Sequence, residues 1–82
     1  MKYIVSKMVA DKRIDYHAMR KPQVFDDLES AKRHIDGDWT AELTKENGYK
    51  VEKVSGRVDR DGAEYVTVWY RGGFMEYRID TI

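Results

Sequence analysis

The last third of the sequence interleaves aromatic rings with positively charged side chains. Such residues recur at alternate positions of what we predict to be neighbouring strands: Lys53, Arg57, Tyr65, Trp69, Phe74 and Arg78. Because alternate residues of a strand point to the same face of a sheet, we expect these side chains to share one face. Rings beside cations are typical of hot spots at protein interfaces, and they can also stack nucleic-acid bases and hold phosphates.

This face could therefore bind a protein, bind a nucleic acid, or have a purely structural role. Cross-strand aromatic and cation–π pairs stabilise a solvated sheet without any ligand. Glu76 and Asp80 belong to the same predicted face and repel phosphate, and the chain lacks the aromatic glycine motif of an RNA-recognition domain. The pattern favours a protein partner, or a second copy of this chain, over nucleic acid.

The remaining polar motifs are better explained as turns and caps. His34–Asp38 carries metal-binding atoms but no distant second ligand cluster, and Asp59–Gly62 lacks the bidentate Glu of a calcium loop. Arg71–Gly73 is a single RGG triplet at a hairpin tip. His17 and His34 lie in different predicted elements, without the positioned partner that acid–base catalysis needs. We expect no enzymatic activity, no metal and no cofactor.

Composition narrows the class of protein further. Fifteen Lys and Arg residues balance 15 Asp and Glu residues among 82, so the basic excess of a dedicated DNA-binding protein is missing. The absence of Cys excludes disulfides and thiolate zinc sites and favours the cytoplasm. No apolar run has the length of a signal peptide or a membrane span. We expect one domain over residues 1–82.

Three strands joined by two turns must position the aromatic and cationic residues. Gly72-Gly73 predicts a hairpin with a primed turn, and counting back from it sets the register. On the core face this register pairs Tyr70 with Met75, Val68 with Tyr77 and Val66 with Ile79. On the outer face it pairs Arg71 with Phe74, Trp69 with Glu76, Thr67 with Arg78 and Tyr65 with Asp80.

The turn before this hairpin is predicted from Asp59–Gly62. A three-residue loop, with Gly62 at positive φ, avoids the like-charge contact between Asp59 and Glu64 that a shorter loop would create. The resulting pairs are Val54 with Val68 and Gly56 with Val66 on the core face, and Lys53 with Trp69 and Arg57 with Tyr65 on the outer face. The strand 65–70 then lies in the middle of a three-stranded meander.

The N-terminal third predicts another hairpin. Residues 3–9 and 13–19 have the composition of strands, with a turn over 10–12, and Pro22 is expected to end the second strand. The register expected for this hairpin pairs Val9 with Ile14 and Val5 with Ala18. The sequence leaves open where this hairpin joins the sheet.

Helical signals fill the middle of the chain. Asp26 and Glu29 form a capping-box pattern, and Leu28, Ala31 and Ile35 recur at helical spacing. Asp36–Asp38 predicts a break, after which Asp38 caps a second short helix over 39–47. The alternative is a hairpin over 40–54, turning at an Asn-Gly pair.

Together these elements predict an α+β domain of ββ-αα-βββ order. A five-stranded antiparallel sheet carries one or two short helices packed on one face. In size and charge density the chain resembles small bacterial and phage accessory proteins, including inhibitors, although no motif identifies a family. We expect a non-catalytic protein-interaction domain, with nucleic-acid binding through the same face as the alternative.

Overall fold

The computed structural model has the predicted α+β architecture. It describes the backbone of residues 1–11, 16–45 and 51–82, and the side chains of residues 1–10, 21–43 and 51–82. The strands are β1 (Tyr3–Asp11), β2 (Tyr16–Phe25), β3 (Val51–Val58), β4 (Glu64–Tyr70) and β5 (Gly73–Thr81). They form one antiparallel sheet in the order β2-β1-β5-β4-β3, and helix α1 (Leu28–Thr40) packs on one face of it.

The β3–β4 hairpin has the predicted register. Val54 lies opposite Val68 and Arg57 opposite Tyr65, and the other two predicted pairs also hold. The Asp59 amide donates to the carbonyl oxygen of Ala63 at 2.9 Å, which leaves residues 60–62 as the loop. Gly62 has a φ of 88°, a left-handed conformation that a side chain disfavours.

The predicted register of the β4–β5 hairpin is wrong by two residues. Tyr70 pairs with Gly73, so Arg71 and Gly72 form the turn and Gly73 belongs to β5. Gly72 has a φ of 99°, and one such glycine at the second central position suffices for a type II turn. The pairs on the outer face change accordingly, to Trp69–Phe74, Thr67–Glu76 and Tyr65–Arg78.

The predicted faces of the strand residues in this hairpin are correct in spite of the shift, although Arg71, which was expected on the outer face opposite Phe74, lies in the turn. Side chains alternate with a period of two, so a shift by two residues changes the partners and keeps the faces. Val68 and Tyr77 have no exposed surface, and Trp69 on the opposite face is 42% exposed. The core lies between α1 and the inner face of the sheet, and it joins these residues to Val5, Val9, Ala31, Ile35, Leu43, Tyr70, Met75 and Ile79.

The N-terminal hairpin differs from the prediction in register and length. Val9 pairs with Ala18 and Val5 with Gln23. The turn predicted over 10–12 is wrong at Ala10 and Asp11, which belong to β1, and Lys12 lies outside the described residues. Pro22 does not end β2, which continues to Phe25. The register shifts where Pro22 lies, and β2 is an edge strand, which are the two settings where a strand tolerates proline.

The N-terminal hairpin joins the sheet beside β5, a position that the sequence left open. β5 is therefore the central strand. β1 pairs antiparallel with β5 along its full length, from Tyr3 opposite Thr81 to Asp11 opposite Gly73. Two further hydrogen bonds join the backbones of Lys2 and Ile82. β1 therefore contributes side chains to both faces of the sheet.

Helix α1 begins one residue later than the capping pattern predicts. Asp27 is the N-cap, and its side chain accepts hydrogen bonds from the backbone N–H of Ser30 at 2.7 Å and from the Ser30 hydroxyl at 3.0 Å. Ala31 and Ile35 are buried as predicted, with 0% and 1% of their surface exposed.

The break predicted at Asp36–Asp38 does not occur. α1 passes through Gly37, and a π-helical segment, Ala41–Lys45, continues it. A glycine costs a helix about 1 kcal/mol relative to alanine, which the burial of Ile35, Trp39 and Leu43 on the same side outweighs. The helical conformation of residues 41–45 also excludes the alternative hairpin over 40–54, and residues 46–50 lie outside the described part.

Candidate functional site

The outer face of the sheet, opposite α1, brings the predicted aromatic residues together. Phe74, Trp69 and Lys53 are neighbours across β5, β4 and β3, and we call these three residues the aromatic row. The ring centroids of Trp69 and Phe74 lie 5.0 Å apart with the planes tilted by 44°, a favourable offset geometry. Although its ring contacts Phe74, Trp69 keeps 42% of its surface exposed.

A second row lies four residues away along the strands, beyond Thr67 and Glu76. Arg78, Tyr65 and Arg57 are neighbours across β5, β4 and β3, and we call them the arginine row. The Arg57 guanidinium carbon lies 4.2 Å from the Tyr65 ring centroid and that of Arg78 lies 5.4 Å away. Arg78 also donates a 2.7 Å hydrogen bond to the Tyr65 hydroxyl. The two cations cover the ring, so Tyr65 is only 9% exposed.

The two arginines are matched by carboxylates. Arg78 Nε donates to both oxygens of Asp80 at 2.9 Å, and its Nη2 lies 3.2 Å from Asp61. Arg57 pairs with Asp59 at 3.3 Å. The hydrogen bond with Asp80 raises the pKa of Arg78 above its ordinary value. The arginine row is therefore a compensated cation–π stack and not a patch of free positive charge.

Sequence reasoning missed the contribution of β1 to this face. Ala10 lies beside Phe74 and Met8 beside Glu76, and both side chains are partly exposed. They continue the apolar part of the outer face past the central strand β5 onto β1. The sequence of β1 contained a signal for this, because apolar residues occur at both odd and even positions of the strand. Such a pattern is typical of an interior strand that is covered on both faces.

On the inner face, a polar cluster that the sequence did not predict joins the sheet to the helix. Lys7 lies among core residues of β1, and its side chain is 11% exposed. Its Nζ lies 2.6 Å from the Asp38 carboxylate and also contacts the carboxylate of Glu42. The Tyr77 hydroxyl donates to the same Asp38 oxygen at 2.6 Å. Asp38 thus binds Lys7 and Tyr77, and its predicted role as a helix cap is wrong.

This cluster shifts the proton affinity of two of its members. Burial by itself would raise the pKa of Asp38, but the hydrogen bonds from Lys7 and Tyr77 outweigh it and hold the pKa below its ordinary value. Burial and the neighbouring Asp38 raise the pKa of the Tyr77 phenol far above its usual range. Asp38 is consequently ionised and Tyr77 neutral at neutral pH.

The lowered pKa of Asp38 predicts a specific loss of stability in acid. A carboxylate whose pKa is lower in the folded chain stabilises the fold above the unfolded value of 3.8, and this contribution disappears as the pH falls through the folded pKa. Asp38→Asn should therefore be destabilising at pH 7, and the difference from the wild type should shrink as the pH falls below 3.8. Urea denaturation at several pH values measures it. Asp36→Asn, at an exposed position of the same helix, is the control, and a gap independent of pH would contradict the prediction.

The described residues that the sequence singled out as candidates for catalysis or metal binding are not brought together. His34 stacks on Phe25 with ring centroids 5.0 Å apart, and the side chain of His17 lies outside the described residues. Asp36 borders an open groove of about 490 Å³ between α1 and β3. Among the described side chains, no group of three His, Asp or Glu residues is placed to hold a metal ion. The expected lack of catalytic activity stays a prediction.

In comparisons with known proteins, no family model, no curated protein and no solved structure matches this chain. Within the part of the chain that the structure describes, no helix is both long and apolar enough to span a membrane. The outer face is therefore the feature of this chain from which a function can be inferred.

Proposed function

We propose that this chain is a non-catalytic protein-interaction domain that binds a protein partner through the outer face of its sheet. The observation that carries the proposal is the exposure of Trp69 beside Phe74, on a face that α1 does not cover. Trp, Tyr and Arg are the residues most enriched in interface hot spots. The aromatic row supplies apolar area, and the arginine row supplies a rigid polar border.

The charges of the outer face favour a protein over a nucleic acid. Binding to nucleic acid depends on Lys and Arg that can neutralise phosphates. Here Arg57 and Arg78 are each paired with aspartate, and Glu76 lies between the two rows beside Thr67. A paired cation over an aromatic ring suits a protein interface, where few unpaired charges are buried. Chain composition remains the support for a cytoplasmic location.

Trp69→Ala should affect binding far more than folding. The indole is partly exposed and packs mainly on Phe74, so we expect the free energy of unfolding to fall by about 1 kcal/mol, within the usual range for partly exposed sites. A central aromatic hot spot contributes about 2 kcal/mol or more to association, which corresponds to a loss of about 30-fold in affinity. Urea denaturation and a binding titration measure the two effects separately.

Affinity capture from the native lysate identifies the partner for that titration. Val24→Ala is the matched control, because Val24 is also exposed on the outer face but lies on the edge strand β2, at a distance from the aromatic row. We expect a protein that wild type and Val24→Ala retain and Trp69→Ala loses. Equal retention by all three chains would place the binding surface elsewhere.

A filter-binding assay at two salt concentrations separates a protein partner from a nucleic acid. Affinity for nucleic acid would fall steeply with salt because counterions are released, whereas association through aromatic anchors would change little. We expect no retention of labelled oligonucleotides at low salt. Salt-dependent retention that Trp69→Ala abolishes would assign the outer face to nucleic acid instead.

A further inference from the structure

The two edges of the sheet differ in how well they are protected against further pairing. β2 carries Pro22 and a register shift, both of which interrupt the pairing of a strand. β3, at the other end of the strand order, contains no proline, and after a register shift between Val51 and Lys53 it pairs regularly with β4 as far as Val58. Nothing in the described part of the chain covers the free edge of β3.

The hydrogen-bonding pattern shows which backbone groups this edge presents. Asp59 bonds to Ala63 across the hairpin, so in an antiparallel ladder every second residue back from it, such as Arg57, also bonds to β4. The residues between them, Val54, Gly56 and Val58, direct their N–H and C=O groups away from β4.

The same three residues lie on a part of the inner face that the helix leaves open. α1 packs over β1, β2 and β5, and the groove of about 490 Å³ separates it from β3. Val54 is 47% exposed and Val58 is 67% exposed. Two apolar side chains thus stand beside unpaired backbone groups on one edge.

We propose that the free edge of β3 binds a second copy of this chain, by antiparallel pairing of the two β3 strands about a two-fold axis at Gly56. This register sets each Val54 opposite the Val58 of the other copy on the inner face. Gly56 of one copy then exchanges both backbone hydrogen bonds with Gly56 of the other. The two sheets join into one of ten strands, with both inner faces on the same side.

Charge complementarity selects this register over its neighbours. On the outer face it places Lys53 opposite Asp59 of the other copy, twice by symmetry, at the close non-hydrogen-bonded positions of the ladder. A shift by two residues in one direction sets Lys53 opposite Arg57, and in the other direction Arg57 opposite Arg57. Either shift opposes like charges.

The proposal does not depend on the function proposed for the aromatic row. Trp69 and Phe74 lie on β4 and β5, in from the pairing edge, so both rings stay accessible when two β3 strands meet, whereas Lys53 of the row contacts the other copy. The dimer would display two aromatic rows on one continuous outer face.

Sedimentation velocity over a range of concentrations tests the dimer. The full chain is compared with Lys53→Asp, Asp59→Lys and the double exchange. Each single change sets like charges opposite each other twice, so we expect dimerisation about tenfold weaker. The double exchange should restore it. Asp59→Lys also removes the contact with Arg57, but the double variant shares that loss, so their difference reports the contact between copies.

Three results would overturn the proposal. The first is a wild-type chain that stays monomeric up to about 1 mM, because a dissociation constant above this concentration corresponds to less than about 4 kcal/mol of binding free energy. The second is a dimer that neither single exchange weakens or that the double exchange fails to restore. The third is a dimer that Trp69→Ala dissociates, which would move self-association to the outer face.

Discussion

Lys7→Ala should lower the free energy of unfolding by about 3 kcal/mol, the largest effect we expect from one substitution. Lys7 Nζ is held by the carboxylates of Asp38 and Glu42, and its side chain is 11% exposed. Removing the cation leaves two acidic groups close together, at a site where burial disfavours charge. Urea denaturation at pH 7 measures the loss, read from the midpoint at an unchanged m-value.

The matched control for this prediction is Lys2→Ala. Lys2 also forms a 2.6 Å ion pair, with Asp26, but the two side chains are 58% and 85% exposed. Exposed pairs contribute about 1 kcal/mol or less. The two substitutions remove the same group and differ mainly in burial. Equal losses would mean that the Lys7 cluster is solvated and does not join helix to sheet.

Val68→Ala should cost about 2 kcal/mol or more, because it removes two methyl groups from a fully buried site. Val68 has no exposed surface and lies on β4 beside the central strand, against the core. The cavity it leaves is bounded by strands on both sides, which limits how far the neighbours can relax.

Val54→Ala is an internal control for that cost. Val54 lies directly opposite Val68 on the same face, yet it is 47% exposed because α1 does not reach over β3. The expected change is about 0.5 kcal/mol, typical of surface substitutions. Similar costs at the two positions would show that the inner face is covered as far as its edge.

The sheet was predictable to the extent that local signals determine it. Alternation of apolar and polar residues assigned the two faces of β4 and β5, and Gly62 with the charges around it determined the β3–β4 register. The β4–β5 turn was misplaced because Gly72 and Gly73 both tolerate the conformations that a turn requires, so composition alone does not choose between them.

Tertiary contacts explain the features that the sequence did not predict, namely the uninterrupted helix, the length of β2 and the Lys7 cluster. α1 continues through Gly37 because the residues after it are buried against the sheet, which outweighs a local preference. The edge position of β2 explains why Pro22 is tolerated within it. The Lys7 cluster did leave a trace, since Lys7 interrupts the apolar series Val5 and Val9, but its partners become visible only when the helix is continuous.

The outer face was predicted only in part, because local alternation assigns a residue to a face but does not determine which strands are neighbours. Every residue of the two rows was assigned to the correct face, because the face depends only on alternation. The grouping into an aromatic row and an arginine row depends on the β4–β5 register, and the part played by Ala10 and Met8 depends on the pairing of β1 with β5. Neither is determined by local sequence.

Fluorescence quenching of Trp69 tests most directly whether the outer face is exposed to solvent in the free chain and covered when the partner binds. In the Trp39→Phe variant, Trp69 is the remaining tryptophan and alone gives the signal. The indole N–H of Trp39 has no hydrogen-bond partner among the described residues, so this substitution removes no hydrogen bond there. We expect acrylamide to quench Trp69 readily in the free chain and weakly once the captured partner is bound. A blue-shifted, quencher-resistant Trp69 in the free chain, or unchanged quenching in the complex, would contradict it.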